Sequence, residues 1–135
     1  SMSNPMQIQA MAAEAERLAQ SGQAEHAARR FREVLAAAPD HAPAAHFLAM
    51  HSFAAGRLDE ARRFIDQASA GQPKAAVVEA NRGRILGAQG QAEAAAAAYE
   101  AALALDGEFL PVRLDLARLL ESLGKVREAT QHYRA

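Results

Sequence analysis

Five histidines are the first candidates for chemistry, and three of them, His41, His46 and His51, recur every five residues. Ligands on one helical face stand three or four residues apart, whereas a step of five turns about 140° at 3.6 residues per turn. These imidazoles should therefore diverge, and neither a metal site nor another cofactor is expected. Cysteine is absent, which removes thiolate zinc sites, disulfides and a cysteine nucleophile. There is no GxSxG elbow, P-loop or GxGxxG stretch, and Gly83, Gly87 and Gly90 fall in a run explained by repetition below. Catalysis by this chain on its own is not expected.

Two clusters of arginine, Arg29, Arg30 and Arg32, then Arg57, Arg62 and Arg63, resemble the beginnings of an anion-binding stripe. Glu25, Glu33, Asp59, Glu60 and Asp66 stand among them at helical spacings that favour ion pairs. Fifteen basic against sixteen acidic side chains leave a net charge of -1, so no electrostatic surplus attracts nucleic acid or anionic lipid. No apolar run approaches the roughly 20 residues that span a bilayer, and no export signal follows Ser1-Met2. The expectation is a cytoplasmic chain with neither nucleic acid nor membrane as partner. The alanine- and arginine-rich wording further suggests a GC-rich bacterial genome.

The elements that must position any functional side chains are helices. In 135 residues there are 36 alanines, two tyrosines and no tryptophan, a composition that favours helix and disfavours sheet. A period organises them. Gly22, Gly56, Gly90 and Gly124 are each 34 residues apart, as are Ala27, Ala61, Ala95 and Ala129, and the large residues Phe31, Ile65, Tyr99 and Tyr133. Ala15, Ala49, Gly83 and Ala117 keep one phase small, and Pro39, Pro73 and Gly107 mark another. Each unit reads as two helices, the phased glycine stopping the first and the phased Pro or Gly the second. Asn4-Pro5, and Asp40 with Pro43, read as starts. Helices are expected at about 5–21, 24–38, 42–55, 58–71, 74–89, 92–105, 109–123 and 126–135.

The small phases let the two helices of a unit approach to the short end of the roughly 8 to 10 Å interaxial range. The large phase then fills the space toward the next unit, and the alanine run at 94–98 reads as close packing rather than low complexity. No pair buries its apolar face alone, so the expected class is an all-α solenoid of antiparallel helix pairs. Its units are 8–41, 42–75, 76–109 and 110–135, the last incomplete.

This period, with its small residue in the first helix, inter-helix glycine, alanine and large residue in the second, and closing proline, resembles the tetratricopeptide repeat. The resemblance covers nearly the whole chain, although no Trp opens a first helix, Ser52 holds a usually large apolar position and Gly107 replaces a proline. It implies a right-handed superhelix whose first helices line a concave groove, and a noncatalytic module that binds a protein or peptide there. Some members grip acidic chaperone tails through a clamp of Lys, Asn, Asn, Lys and Arg. The matching positions are Ala12, Glu16, Phe47, Val77 and Asn81, or one repeat on His46, Met50, Asn81, Pro111 and Asp115, so that clamp is absent.

The remaining candidate groove residues are His46, Phe47, Met50, Asn81, Arg84 and Arg118. Phe47 and Met50 suit an apolar side chain, Asn81 a peptide backbone, and Arg84 or Arg118 a carboxylate. The alternative is internal: Phe47 and Met50 packing on a neighbouring helix, with the arginines paired to Glu79, Asp115 or solvent. A fourth unit ending at Ala135 suggests excision from a longer protein, leaving Leu116, Leu120, Leu123 and Val126 partly uncovered and able to pair two copies weakly. Bacterial hydroxylases related to aspartyl/asparaginyl β-hydroxylase, sulfotransferases and glycosyltransferases can carry such repeats, so an N-terminal accessory segment of an enzyme and a self-association scaffold are the rival expectations.

Overall fold

A computed structural model describes residues 4–72 and 74–135, which form eight helices. These are α1 (Pro5–Gln20), α2 (Ala24–Ala37), α3 (Ala42–Ala54), α4 (Leu58–Gly71), α5 (Ala76–Ala88), α6 (Ala92–Leu105), α7 (Leu110–Ser122) and α8 (Val126–Arg134). The chain divides into two compact units, Ser1–Pro73 with α1 to α4 and Lys74–Ala135 with α5 to α8. Within the first, α1 packs on α2, α2 on α3 and α3 on α4; within the second, α5 packs on α6, α6 on α7 and α7 on α8.

Local chemistry explains the helix ends. The Asn4 side chain accepts from Gln7 N at 2.9 Å while the Gln7 side chain accepts from Asn4 N at 3.1 Å, a reciprocal cap that Pro5 follows at the first helical position. α3 corrects the expectation that Asp40 caps it. Because Pro43 occupies the first turn of a helix beginning at Ala42, the cap is His41, whose Nδ1 accepts from Ala44 N at 3.2 Å. At the other ends, Gly22, Gly56, Gly90 and Gly124 all have φ between 78° and 81°. The residue after each glycine closes the same turn, as in Gln91 N to Leu86 O at 2.9 Å and Lys125 N to Leu120 O at 2.8 Å. Pro39 and Gly107 lie just beyond α2 and α6; Pro73 lies outside the described residues.

The phased small residues line the close approaches. Ala15, Ala27, Ala49 and Ala61 are fully buried in the first unit, and Ala95, Ala117 and Ala129 in the second. Phe31 and Ile65 fill the first core, and Tyr99 joins Leu86, Leu116 and Leu120 in the second. This corrects the expectation for two of the four end residues: Leu116 and Leu120 are buried, in one cluster with Ala129 of α8. Leu123 is half-buried, and the Val126 side chain lies outside the description.

Candidate functional site

In the first unit, Pro43, His46, Phe47 and Met50 occupy steps of three, four and seven along α3 and so share one face. Opposite them on α1 stand Glu16, Ala19 and Gln20, again at steps of three and four. Phe31 of α2, 2% exposed, closes the floor between the two walls. Together they enclose an open, mostly apolar pocket of about 410 Å³. The Phe31 and Phe47 rings lie 4.6 Å apart at 33°, and Phe47 also stacks on His51 at 6.0 Å and 11°. The outer edge of that imidazole meets Glu25, Nε2 to Oε1 3.2 Å. Phe47 is thus both packed and half-exposed, combining the two readings that its sequence position allowed.

Burial holds the His46 imidazole below its ordinary 6.5, which favours the neutral form at pH 7. The three histidines have separate duties: His41 caps α3, His46 lines the pocket, and His51 stacks on Phe47 and meets Glu25. Among the described residues no group of three or more His, Asp or Glu is placed to hold a metal ion.

The second unit repeats the arrangement with different chemistry. Val77, Ala80, Asn81 and Arg84 of α5 face Pro111, Val112 and Asp115 of α7 across Tyr99 of α6, with Phe109 at the mouth, around about 330 Å³. Arg84 donates to Asn81 Oδ1 at 3.2 Å. Burial pushes the Tyr99 hydroxyl up to about 12, Asp115 adding to the rise and Arg84 opposing it. Arg118 does not line this pocket; it is exposed and stands 3.7 Å from Asp115. Glu79 meets Arg82 at 3.9 Å.

Of the six groove candidates, the structure therefore gathers His46, Phe47 and Met50 in one pocket and Asn81 and Arg84 in the other, and leaves Arg118 at the rim of the latter's Asp115. Sequence reasoning missed Ala19, Gln20 and the buried floors as site residues. The available signal was the step of three and four from Glu16, and the two-repeat step from Phe31 to Tyr99. That same step carries Glu16 to Arg84, so one position of the repeat is acidic in the first pocket and basic in the second.

The arginine clusters are largely paired. Arg30 meets Glu33 at 3.1 Å and Glu14 at 3.6 Å, Arg57 meets Glu60 at 3.0 Å, and Arg62 meets Asp66 at 2.9 Å. Among the described residues no helix is long and apolar enough to cross a membrane.

A family model for the tetratricopeptide repeat matches residues 18–82 and 87–135, most of the chain. The chain belongs to the tetratricopeptide repeat family. No protein of curated function matches its sequence significantly. Among solved structures, a crystal structure of MamA superimposes with a TM-score of 0.87 over 97% of this chain and 77% of its own, at 17% identity. MamA from Desulfovibrio magneticus RS-1, residues 41 to the end, gives 0.81 over 94% and 72%, at 20% identity. At such identities the likeness is one of fold. The K341M mutant of Thermobaculum terrenum O-GlcNAc transferase gives 0.75 at 27% identity over 88% of this chain, which spans 23% of the transferase. The repeat and its all-α fold support a protein-interaction module.

Proposed function

We propose that this chain is a noncatalytic tetratricopeptide module that binds a peptide or helical segment on its first helices. The observation that carries the reading is the open pocket of the first unit, where Phe47 and Met50 stay partly exposed above the buried Phe31 ring. Such surface suits an apolar anchor, the kind of group that dominates binding energy at interfaces. In the second unit Asn81 offers an amide to a peptide backbone, and Arg84 with Arg118 offers guanidinium groups to a carboxylate. The test is replacement of Phe47, Asn81 and Arg84 together by alanine, followed by crosslinking capture of partners and far-UV circular dichroism. Capture is lost with helicity retained; capture that survives rejects these residues.

The O-GlcNAc transferase likeness favours a second reading, in which the module is an accessory segment of a larger enzyme such as a glycosyltransferase, since 88% of this chain aligns with less than a quarter of that protein. The gene sequence on either side of the segment decides it: an adjoining catalytic domain supports the reading, and flanking stop codons end it.

A further inference from the structure

We infer that the pocket of the first unit selects a linear segment in which a bulky apolar side chain is flanked by lysine or arginine, the apolar group lying over Phe31 and the cation on Glu16. The inference rests on the binding role proposed above and adds the chemistry of the partner.

Shape and lining come first. A volume of about 410 Å³, walled by Ala19, Pro43, Phe47 and Met50, is large enough for a leucine or phenylalanine side chain and offers it little but carbon. Charge supplies the second half. Glu16 is the one acidic or basic residue in the lining besides His46, and burial of His46 favours its neutral form, so the pocket carries a negative charge at neutral pH.

Glu16 is exposed and makes no ion pair with another described residue, whereas Glu14, two residues earlier, faces Arg30 at 3.6 Å. A carboxylate that no internal cation neutralises favours an incoming cation and repels an acidic segment. The register contrast points the same way. Two repeats on, the position of Glu16 is Arg84, which donates to Asn81 and acts electrostatically on Tyr99 together with Asp115. The second pocket thus balances its charge internally and the first does not.

Random linear peptides displayed on phage, selected on the immobilised 135-residue chain, test the inference. The wild type should enrich peptides with Leu, Phe, Ile or Met within two positions of Lys or Arg. For a synthetic peptide of that consensus, Glu16→Gln should weaken binding by up to about fivefold, the upper end for an exposed ion pair. Glu16→Lys should shift a fresh selection to Asp or Glu flanks. Phe47→Ala, or Met50→Ala should the former lose ellipticity, should weaken binding at least about tenfold whatever the flank.

Uncharged or acidic flanks selected by the wild type, or a flank preference that Glu16→Lys leaves unchanged, would overturn the partner chemistry while sensitivity to Phe47 or Met50 kept the binding role. Peptides indifferent to Phe47 and Met50, or no enrichment at all, would overturn both.

Discussion

Gly83 of α5 lies against the face of Tyr99 of α6 so closely that a Cβ on Gly83 would stand 2.6 Å from Cε1 and 2.7 Å from Cδ1 of the ring. The other repeats hold alanine at this position, Ala15, Ala49 and Ala117, all fully buried. The glycine is therefore tied to the tyrosine, whose ring floors the second pocket. Alanine in a helix interior ordinarily gains up to about 1 kcal/mol over glycine. Here it forces a rigid ring or a backbone to move, at roughly 1–3 kcal/mol. Gly83→Ala should thus lower stability in urea unfolding, and the double change with Tyr99→Leu should recover part of the loss. A stabilised Gly83→Ala would show that the two helices separate at little cost.

Gly90 is required for the opposite reason. A side chain there would meet nothing within 4 Å, yet its φ is +78°. Only the backbone objects, by about 1–2 kcal/mol for a residue with a Cβ. Gly90→Ala should cost that amount and Gly90→Asn noticeably less, since asparagine tolerates the left-handed region. Equal losses for the two would place the cost elsewhere.

Ser52 stands in a column whose other members are Leu18, Leu86 and Leu120, and it is 1% exposed with no hydrogen-bond partner for its Oγ among the described residues. A buried hydroxyl without a partner costs about 1–3 kcal/mol relative to an apolar group of the same shape. Ser52→Ala should raise the urea midpoint with an unchanged m-value. A lowered midpoint would mean that the hydroxyl is satisfied in solution.

Tyr99 sets an alkaline limit. Its folded pKa of about 12 lies above the ordinary 10.0, so between these values the unfolded chain has lost the proton and the folded chain keeps it. Stability associated with Tyr99 is therefore full below pH 10 and falls as pH rises toward 12. In a Tyr133→Phe background, which leaves Tyr99 as the single tyrosine, the ultraviolet phenolate band should rise well above pH 10 in the folded protein. A midpoint at 10 would show the hydroxyl to be open to water.

Much of the fold was legible because its determinants are local. Helix bounds drawn from glycine phase and apolar spacing agree with the structure to within about two residues, as at α4 (Leu58–Gly71) and α6 (Ala92–Leu105). Asp40 reads as the cap of α3 because any short polar side chain before a proline does so, whereas the residue that serves, His41, depends on where the first turn begins. The site was legible in part. Glu16, Pro43, His46, Phe47 and Met50 could be put on one face of their helices by counting alone. That Gln20 joins them, that Phe31 shows its ring between the walls, and that Arg118 stays outside depend on how far and at what tilt α1 and α7 stand from their neighbours.

The sequence by itself determined the helical pairs, their 34-residue recurrence and the left-handed glycines that end each first helix, because spacing along a helix and the steric freedom of glycine act within a few residues. Only the tertiary structure decided which side chains face a common space, that Leu116 and Leu120 are buried in one cluster with Ala129 of α8, and that Glu16 reaches a pocket otherwise lacking charged residues at neutral pH. Those outcomes turn on contacts between helices distant in sequence, where a small change in approach opens or closes a cavity without altering the pattern of any one helix.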